Sequence, residues 1–446
     1  MAGARAAALK ALLRVDGTEE GYSNLVLDSA LKSAQLDSRD RALATTIFYG
    51  VLERRITLDY MIGLFSRTPV KKLSPTVREI LRIGVYQLRY LEKIPPSAAV
   101  NECVTLTKKN GEFRAAGFVN AVLRNLLRNP GKVRFPDEQK DPLRYRSILY
   151  SCPEPLVSFW REQYGADCAD AILEGAASQP DIFVRVNNTR ISEQQLVERL
   201  RGEGIEAEPA PWPDGALRIV KNAGELRRSS CTGEGLFHVQ DVSSQLCCRV
   251  LDPQPGERVI DVCAAPGGKT FTLAERMENR GELVSCDLYP ARTGLIAQGA
   301  RRLGLSIVQA CVRDASEPEN SLPQAARVLC DVPCSGLGVI RRKPEIRYKF
   351  PMAIDSLPDL QYRILCRSSG LVGSGGVLVY STCTLNPAEN SGVADRFLQE
   401  NRSFEPLVLP LPQEVPHTVS EPENQITLMP GKHGPDGFFI SAFRKR

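Results

Sequence analysis

Three histidines, His238, His417 and His433, are all that a chain of 446 residues carries. None of its 13 cysteines stands three positions from another, so no C-x-x-C pair exists. Zinc sites are assembled from Cys and His at such spacings, and no metal is expected here. A run of about 18 apolar residues, the minimum for a membrane-spanning helix, is also missing, so no membrane partner is expected. The first residues, Met1-Ala2-Gly3-Ala4-Arg5, reach Lys10 without the apolar stretch of a signal peptide. The expectation is a cytoplasmic protein. An odd number of cysteines scattered along a chain of that kind argues against a disulfide framework. Cys103, Cys247, Cys248 and Cys366 read instead as small buried hydrophobes.

What the chain does have is unevenly placed. Residues 1–130 hold 20 Lys/Arg against 12 Asp/Glu, a balance of +8, while the rest holds 37 against 40. A basic segment joined to a near-neutral one points to a polyanion partner, with RNA first; a solvated helical surface is the plainer alternative. The length calls for two or three domains. Residues 1–130 read as an all-helical bundle. Ser74-Pro75 is an N-cap followed by proline at the first turn, and Val77, Ile80, Leu81, Val85 and Leu88 keep the helical period. A helix from near Ser97 ends at Asn110-Gly111, and another from about Arg114 to Leu127 stops at Asn129-Pro130-Gly131. Residues 131–180 read as a linker, polar over 131–150 and helical over Pro153–Tyr164 and Ala169–Ala177. A small α+β unit follows over 181–235, with strands Ile182–Val186 and Ala216–Val220 around a helix from Ile191 to Leu200.

Over 236–446 helices alternate with strand candidates Arg258–Val262, Glu282–Cys286, Ser306–Ala310, Arg327–Cys330 and Gly376–Tyr380. That is the pattern of a doubly wound, Rossmann-like α/β sheet. Gln425–Met429 and Phe438–Phe443, flanking Gly431 to Gly437, suggest a terminal hairpin.

The chemistry-bearing residues cluster after these strands. Cys263-Ala264-Ala265-Pro266-Gly267-Gly268-Lys269 follows the first. Its glycines let a ligand approach the backbone, and the next helix aims its amides at the site. Lys269-Thr270 superficially suggests a P-loop, but Cys263 stands where that motif needs glycine. Asp287, 20 residues after Gly267, is placed to accept from a ribose diol, and Asp314, after the third strand, from an adenine amino group. Together these argue for an adenosine-containing cofactor; the alternative is that both aspartates are helix N-caps. Cys334 and Cys383 sit just past two further strands, at the edge where open α/β sheets bind ligands. A thiolate there can attack the electron-poor C6 of a pyrimidine. C5 of the adduct can then take a methyl group from a sulfonium donor. Asp331 is suited to the N3 and N4 edge of cytosine.

Asp331-Val332-Pro333-Cys334-Ser335-Gly336 and Ser381-Thr382-Cys383-Thr384 resemble motifs IV and VI of the NOL1/NOP2/Sun family of RNA cytosine-C5 methyltransferases. Cys263 to Lys269 is similar to its S-adenosylmethionine loop. Arg341-Arg342-Lys343-Pro344-Glu345, Asn386-Pro387-Ala388-Glu389-Asn390 and Asp436-Gly437-Phe438-Phe439 resemble flanking motifs. Tyr49 to Glu53, Leu81 to Leu88 and Phe118 to Arg124 resemble the NusB-like RNA-binding domain. The resemblance implies S-adenosylmethionine held by Cys263 to Lys269, Asp287, Asp314 and Asp331. It further implies Cys383 as nucleophile, Cys334 in product release and Asp331 orienting cytosine. The substrate it implies is 16S ribosomal RNA, at cytosine 967; separately, a monomer is expected. Val332 departs conservatively from the alanine common in motif IV.

Two rival readings are weaker. A DNA cytosine-C5 methyltransferase would use Cys334 as nucleophile, but needs a Glu-Asn-Val motif where Ser381-Thr382-Cys383 stands. A non-enzymatic RNA-binding factor would have no need of the loop or the two thiols.

Overall fold

Apolar residues at helical spacing, broken by Pro, Gly and Asn, fold the first part of the chain into α1 (Ala4–Asp16), α2 (Ser23–Ala34), α3 (Ser38–Glu53), α4 (Arg55–Phe65), α5 (Pro75–Tyr90), α6 (Pro96–Lys109) and α7 (Ala116–Arg128). α8 (Pro142–Tyr150), α9 (Glu154–Tyr164) and α10 (Ala166–Ala177) follow. The computed structural model describes residues 3–16, 23–318, 322–351, 356–415, 421–431 and 434–446. His417 and His433, Met1-Ala2 and part of the Gly431–Gly437 turn lie outside them. The Ser74 hydroxyl accepts from the Val77 amide, as an N-cap should. Val77, Ile80, Leu81 and Val85 of α5 are buried, while Leu88 is half-buried. The motif glycines have a packing reason. A Cβ on Gly50 would lie 1.9 Å from the Tyr86 ring, and one on Gly84 2.7 Å from Leu123. α3 and α6–α7 press onto α5 at those points. Arg82, buried in α5, donates to both Asp59 oxygens at 2.7 and 2.6 Å and to Glu79.

The polar linker expected over 131–150 is corrected: Asp141 caps α8 by accepting from the Arg144 amide. Helical spacing was hidden there because α8 buries little, chiefly Ser147 and Ile148. By packing, Met1–Ser178 forms one unit together with the distant segment Ile340–Pro351. Arg347, 1% exposed, explains the attachment. Its guanidinium donates to the carbonyls of Glu53, Tyr150, Ser151 and Ala176 at 3.1–3.4 Å. Three helix C-termini, those of α3, α8 and α10, thus share one cation, the charge their dipoles favour. Glu345 accepts from the Ser23 amide at 3.1 Å, and the Tyr348 hydroxyl donates to the Leu52 carbonyl at 2.8 Å.

The second unit comprises Gln179–Val339 and Met352–Arg446. It opens with β1 (Ile182–Val186), α11 (Glu193–Gly202), β2 (Glu206–Pro209), β3 (Ala216–Lys221), α12 (Ser230–Gly233) and β4 (Phe237–Val239). These strands form an antiparallel sheet in the order β2-β3-β1-β4. Two of them were not read in the sequence. β2 is a largely exposed edge strand, Glu-Ala-Glu-Pro, and β4 has three residues.

There follow α13 (Val242–Leu251), β5 (Arg258–Asp261), α14 (Gly268–Arg276), β6 (Glu282–Asp287), α15 (Pro290–Leu303), β7 (Val308–Val312), β8 (Ala325–Asp331), α16 (Leu357–Ser369), β9 (Val372–Thr382), α17 (Ser391–Glu400), β10 (Phe404–Pro406), β11 (Gln425–Leu428) and β12 (Phe438–Lys445). The sheet runs β10-β12-β9-β8-β5-β6-β7, with β11 paired to β12. β5 to β9 are parallel; β12 is antiparallel to β9, β10 and β11. The expected Rossmann-like sheet is present, made mixed by its terminal hairpin. Successive residues face opposite sides. Val259, Val377 and Val379 pack with α13, α14 and α15, whereas Ile260, Leu378 and Tyr380 pack with α16 and α17. Strand order reverses between β5 and β8, the place where open α/β sheets form a ligand crevice. Among the described residues no helix is long and apolar enough to cross a membrane.

Candidate active site

The loop after β5 is shaped by one glycine more than the other. Gly267 is the N-cap of α14 at φ +111°, and a Cβ on it would lie 2.4 Å from the Phe271 ring. Both facts require glycine. Gly268 has an ordinary φ, and its nearest neighbour would be Gln240 at 3.7 Å. The protein itself leaves that position open, so a ligand is free to use it. The first amides of α14 have no intrahelical partner and face an anionic or polar group well. Beneath the loop, Thr270 donates to the fully buried Asp261 at 2.8 Å. Burial pushes the Asp261 carboxyl up to about 7.

Asp287, at the end of β6, turns back onto this loop. It accepts from the Ala265 amide at 3.3 Å and the Tyr289 amide at 3.2 Å, and pairs with Arg292 at 3.3 Å. Arg292 also donates to the Ala265 carbonyl at 2.8 Å. The N-cap of α15 is Tyr289, so Asp287 does not cap that helix. Asp314 lies two residues past β7 and accepts from the amide and hydroxyl of Ser316 at 2.8 and 2.7 Å. Those bonds lower its carboxyl. The Arg313 amide donates to the Asp287 carbonyl at 3.0 Å, which keeps the two acidic turns adjacent.

The two thiols come together. Cys334 and Cys383, each half-buried, have Sγ atoms 3.3 Å apart although 49 residues separate them. Parallel pairing of Asp331 with Ser381 sets the approach. Asp331 is held on both oxygens: Ser381 donates to one at 2.7 Å, Lys269 to the other at 2.8 Å. The cofactor-type loop is thereby tied to the cysteine motif. Burial alone would lower the Lys269 ammonium, but Asp331 and the neighbouring thiols outweigh it and hold the group above its ordinary value. The hydrogen bond with Cys383, and then burial, raise the Cys334 thiol well above the ordinary range. Either thiol of the pair can be the donor in that bond.

Around the thiols lies a polar clasp. Glu389, fully buried, accepts from the Ser335 amide at 2.9 Å, Gln361 at 2.8 Å and Asn386 at 2.9 Å. Ser335 and Thr384 share a hydrogen bond of 2.6 Å. The Gly338 amide donates to the Cys383 carbonyl at 3.0 Å, and Gly437 donates to the Gly338 carbonyl at 2.9 Å.

Of the sequence-selected residues, Cys263 to Lys269, Asp287, Asp331, Cys334 and Cys383 lie on one connected network of bonds and strand pairings, and Asp314 stands beside Asp287. Ser381, Gln361, Glu389 and Asp261 were missed as individuals. Ser381 and Glu389 stood inside quoted motifs and Asp261 inside a strand candidate, whereas Gln361 carries no local signal: its partners are 28 residues away on either side. Cys103, Cys247 and Cys248 are buried as expected, with burial raising Cys103 and Cys247 to about 12; Cys366 is half-buried.

Comparison with known proteins agrees with this layout. The family model described as 16S rRNA methyltransferase RsmB/F matches residues 248–444. The NusB family model matches residues 2–128, and a ferredoxin-like domain model of RsmF/B-type methyltransferases matches 152–224. The "Probable ribosomal RNA small subunit methyltransferase B" of Bacillus subtilis (strain 168) is 40% identical over 445 residues, covering 98% of each chain. The ribosomal RNA small subunit methyltransferase B of Pseudomonas syringae is 30% identical, covering 99% of this chain and 96% of its own. The solved structure of PH0851 shares the fold over 99% of this chain and 98% of its own, with a TM-score of 0.81 at 24% identity.

Proposed function

The chain belongs to the ribosomal RNA small subunit methyltransferase B family, and from that premise we propose that it methylates C5 of a cytosine in 16S ribosomal RNA, cytosine 967, through a covalent Cys383–C6 adduct. The observation that carries this reading is the pair of thiols 3.3 Å apart beside Asp331, at the carboxyl ends of β8 and β9. A binding module needs neither.

S-Adenosylmethionine fits the residues present: an open Gly268, the amide end of α14, the Asp287 carboxylate at the end of β6 and Asp314 next to it. When bound it supplies an electrophilic methyl group and leaves as S-adenosylhomocysteine. The target base must leave its stack to reach the crevice, at a cost of a few kcal/mol for a paired base. Asp331, fixed by Lys269 and Ser381, accepts from the cytosine N4 amino group and orients the ring. Cys383, as thiolate, forms a bond to C6, and the electron pair displaced from C5=C6 makes C5 nucleophilic. After methylation a water molecule takes the C5 proton, the C5–H electron pair reforms C5=C6, the C6–S bond breaks and Cys383 departs as thiolate. Cys334, whose sulfur lies 3.3 Å from the departing one, assists that release. Residues 1–130 and 181–235 would bind RNA, while 236–446 carry the reaction.

The test uses the full chain, S-adenosylmethionine and a ribosomal RNA fragment. Cys383→Ala should lose methyl transfer and covalent complex together. Cys334→Ala should accumulate a denaturation-resistant protein–RNA complex. Retained activity in Cys383→Ala would refute the assignment.

A further inference from the structure

We infer that Glu389 is a positioning residue that clasps the Cys334 loop to the Cys383 loop and so sets the separation of the two thiols. The inference rests on the thiol chemistry proposed above. Its basis is the distribution of partners around one fully buried carboxylate. The Ser335 amide belongs to the residue after Cys334, and Asn386 stands three residues after Cys383. Gln361, from α16, gives one amide group to both Glu389 and the Pro333 carbonyl, at 2.8 and 2.9 Å. Pro333 precedes Cys334, so the residues on both sides of that cysteine are tied to Glu389, one directly and one through Gln361.

The carboxylate is itself held in place. The Tyr380 hydroxyl donates to the Glu389 carbonyl at 2.6 Å from within β9. Next in sequence, Asn390 accepts from Thr382 at 2.6 Å and donates to the Thr384 carbonyl at 3.1 Å, bracketing Cys383. The chain from Thr382 to Asn390 is thus closed on itself, with Cys383 inside it. One side chain at its far end reaches across to the Cys334 loop.

Charge is required for the clasp, because two oxygens accept from three N–H donors and neither oxygen is a donor. An amide at this position keeps one acceptor oxygen and turns an NH2 toward either Asn386 or the Ser335 amide, each of which donates at that contact. The buried clasp would then open at one of its ties. Asn386 cannot readily turn its own amide to compensate, since its oxygen already accepts from the Ala388 amide at 3.2 Å. None of these bonds involves the Cys263–Lys269 loop or Asp287.

The experiment compares the parent chain with Glu389→Gln, full length. Cofactor affinity by calorimetry should stay within about twofold, and KM for RNA should hold. Turnover should fall roughly 10- to 100-fold, the effect of one buried donor left unmatched. A denaturation-resistant RNA complex should build up, because Cys334 no longer meets the adduct. A second readout needs no RNA. Hydrogen peroxide converts two neighbouring thiols to a disulfide, releasing two waters. Peptide mass analysis should show the Cys334–Cys383 disulfide forming several-fold more slowly in Glu389→Gln, because a disulfide tolerates little change in geometry. Parent-like turnover with a parent-like disulfide rate would overturn the inference. If Glu389→Gln does not fold, Gln361→Ala decides in the same two assays: slowed disulfide formation supports the clasp, and parent-like values overturn it. Should the parent form no RNA adduct while the disulfide rates still differ, the adduct chemistry fails and the clasp stands.

Discussion

Asp261 is a carboxyl group in a place hostile to its charge. It is fully buried at the end of β5, and burial raises it to about 7 against an ordinary 3.8. Between those values the folded chain holds a proton that the unfolded chain has lost. Stability should therefore be highest below about pH 4 in this term, and fall as pH rises toward 7. The upper bound for a shift of that size is roughly 4 kcal/mol. Asp261→Asn removes the titration and keeps an oxygen able to accept from Thr270. Urea denaturation at pH 5, 6, 7 and 8 should show the variant gaining on the parent from pH 5 to about 7 and levelling off by pH 8; parallel curves would mean that Asp261 stays charged in the fold. The same scale explains why the two thiols could be picked out of 13. Cys103, Cys152, Cys247 and Cys330 are buried within helices, strands or their ends, where burial raises them to about 12. Cys334 and Cys383 follow strands at the ligand edge, and position alone separated them. Asp287 and Asp314 were placed by the same argument. Gly268 and Gly267 were not told apart, because a backbone angle and a Phe271 ring distinguish them and neither is written in the motif.

At the level of elements, β12 shows how a distant hairpin completes the site. Its parallel-sheet neighbour β9 ends at Thr382, paired with Phe439, so the turn before β12 lies beside Cys383. There two glycines touch: a Cβ on Gly437 would lie 2.6 Å from the Gly338 Cα and 2.9 Å from Leu385. Gly437→Val should cost about 1–3 kcal/mol, as overpacking does, and should also displace the Gly338 amide from the Cys383 carbonyl. Thermal unfolding checks the first effect and methyl transfer the second; a variant that keeps full stability would show that the turn yields. The hairpin itself was legible from two apolar runs around a glycine-rich break, and the five parallel strands from short apolar runs between helices. β2 was not legible, since Glu206 and Glu208 alternate with Ala207 and Pro209 on an exposed edge. β4 was too short to carry a period, and it extends the small sheet to Val239, past the 235 boundary. α8 was hidden by its charged face. Elements that bury a face announce themselves, and elements that pair only through backbone do not.

On the scale of the whole molecule, charge and connectivity have to be read together. The basic balance of residues 1–130 makes their removal the simplest test of RNA binding. The structure makes that a poor experiment. α3 ends on Arg347 and Tyr348, so removing residues 1–130 takes the Glu53 carbonyl from the buried guanidinium and the Leu52 carbonyl from the Tyr348 hydroxyl. The segment Ile340–Pro351 could not be assigned to the first unit from sequence, because Arg341-Arg342-Lys343-Pro344-Glu345 sits between catalytic motifs and its partners are some 200–300 residues away. Surface substitution is the better probe. Lys71, Lys72, Lys108 and Lys109 are exposed and lie at or near helix ends in the basic region. Lys→Gln at all four leaves the core untouched and removes four positive charges. If this surface grips RNA phosphates, each lost contact releases one fewer counterion, and the dependence of log affinity on log salt should become shallower by about 0.7–0.9 per contact. Filter binding of a 16S ribosomal RNA fragment across a salt series measures that slope, and calorimetry with S-adenosylmethionine should show no change. A slope equal to the parent's would place the RNA on another surface of the chain, whatever the overall affinity.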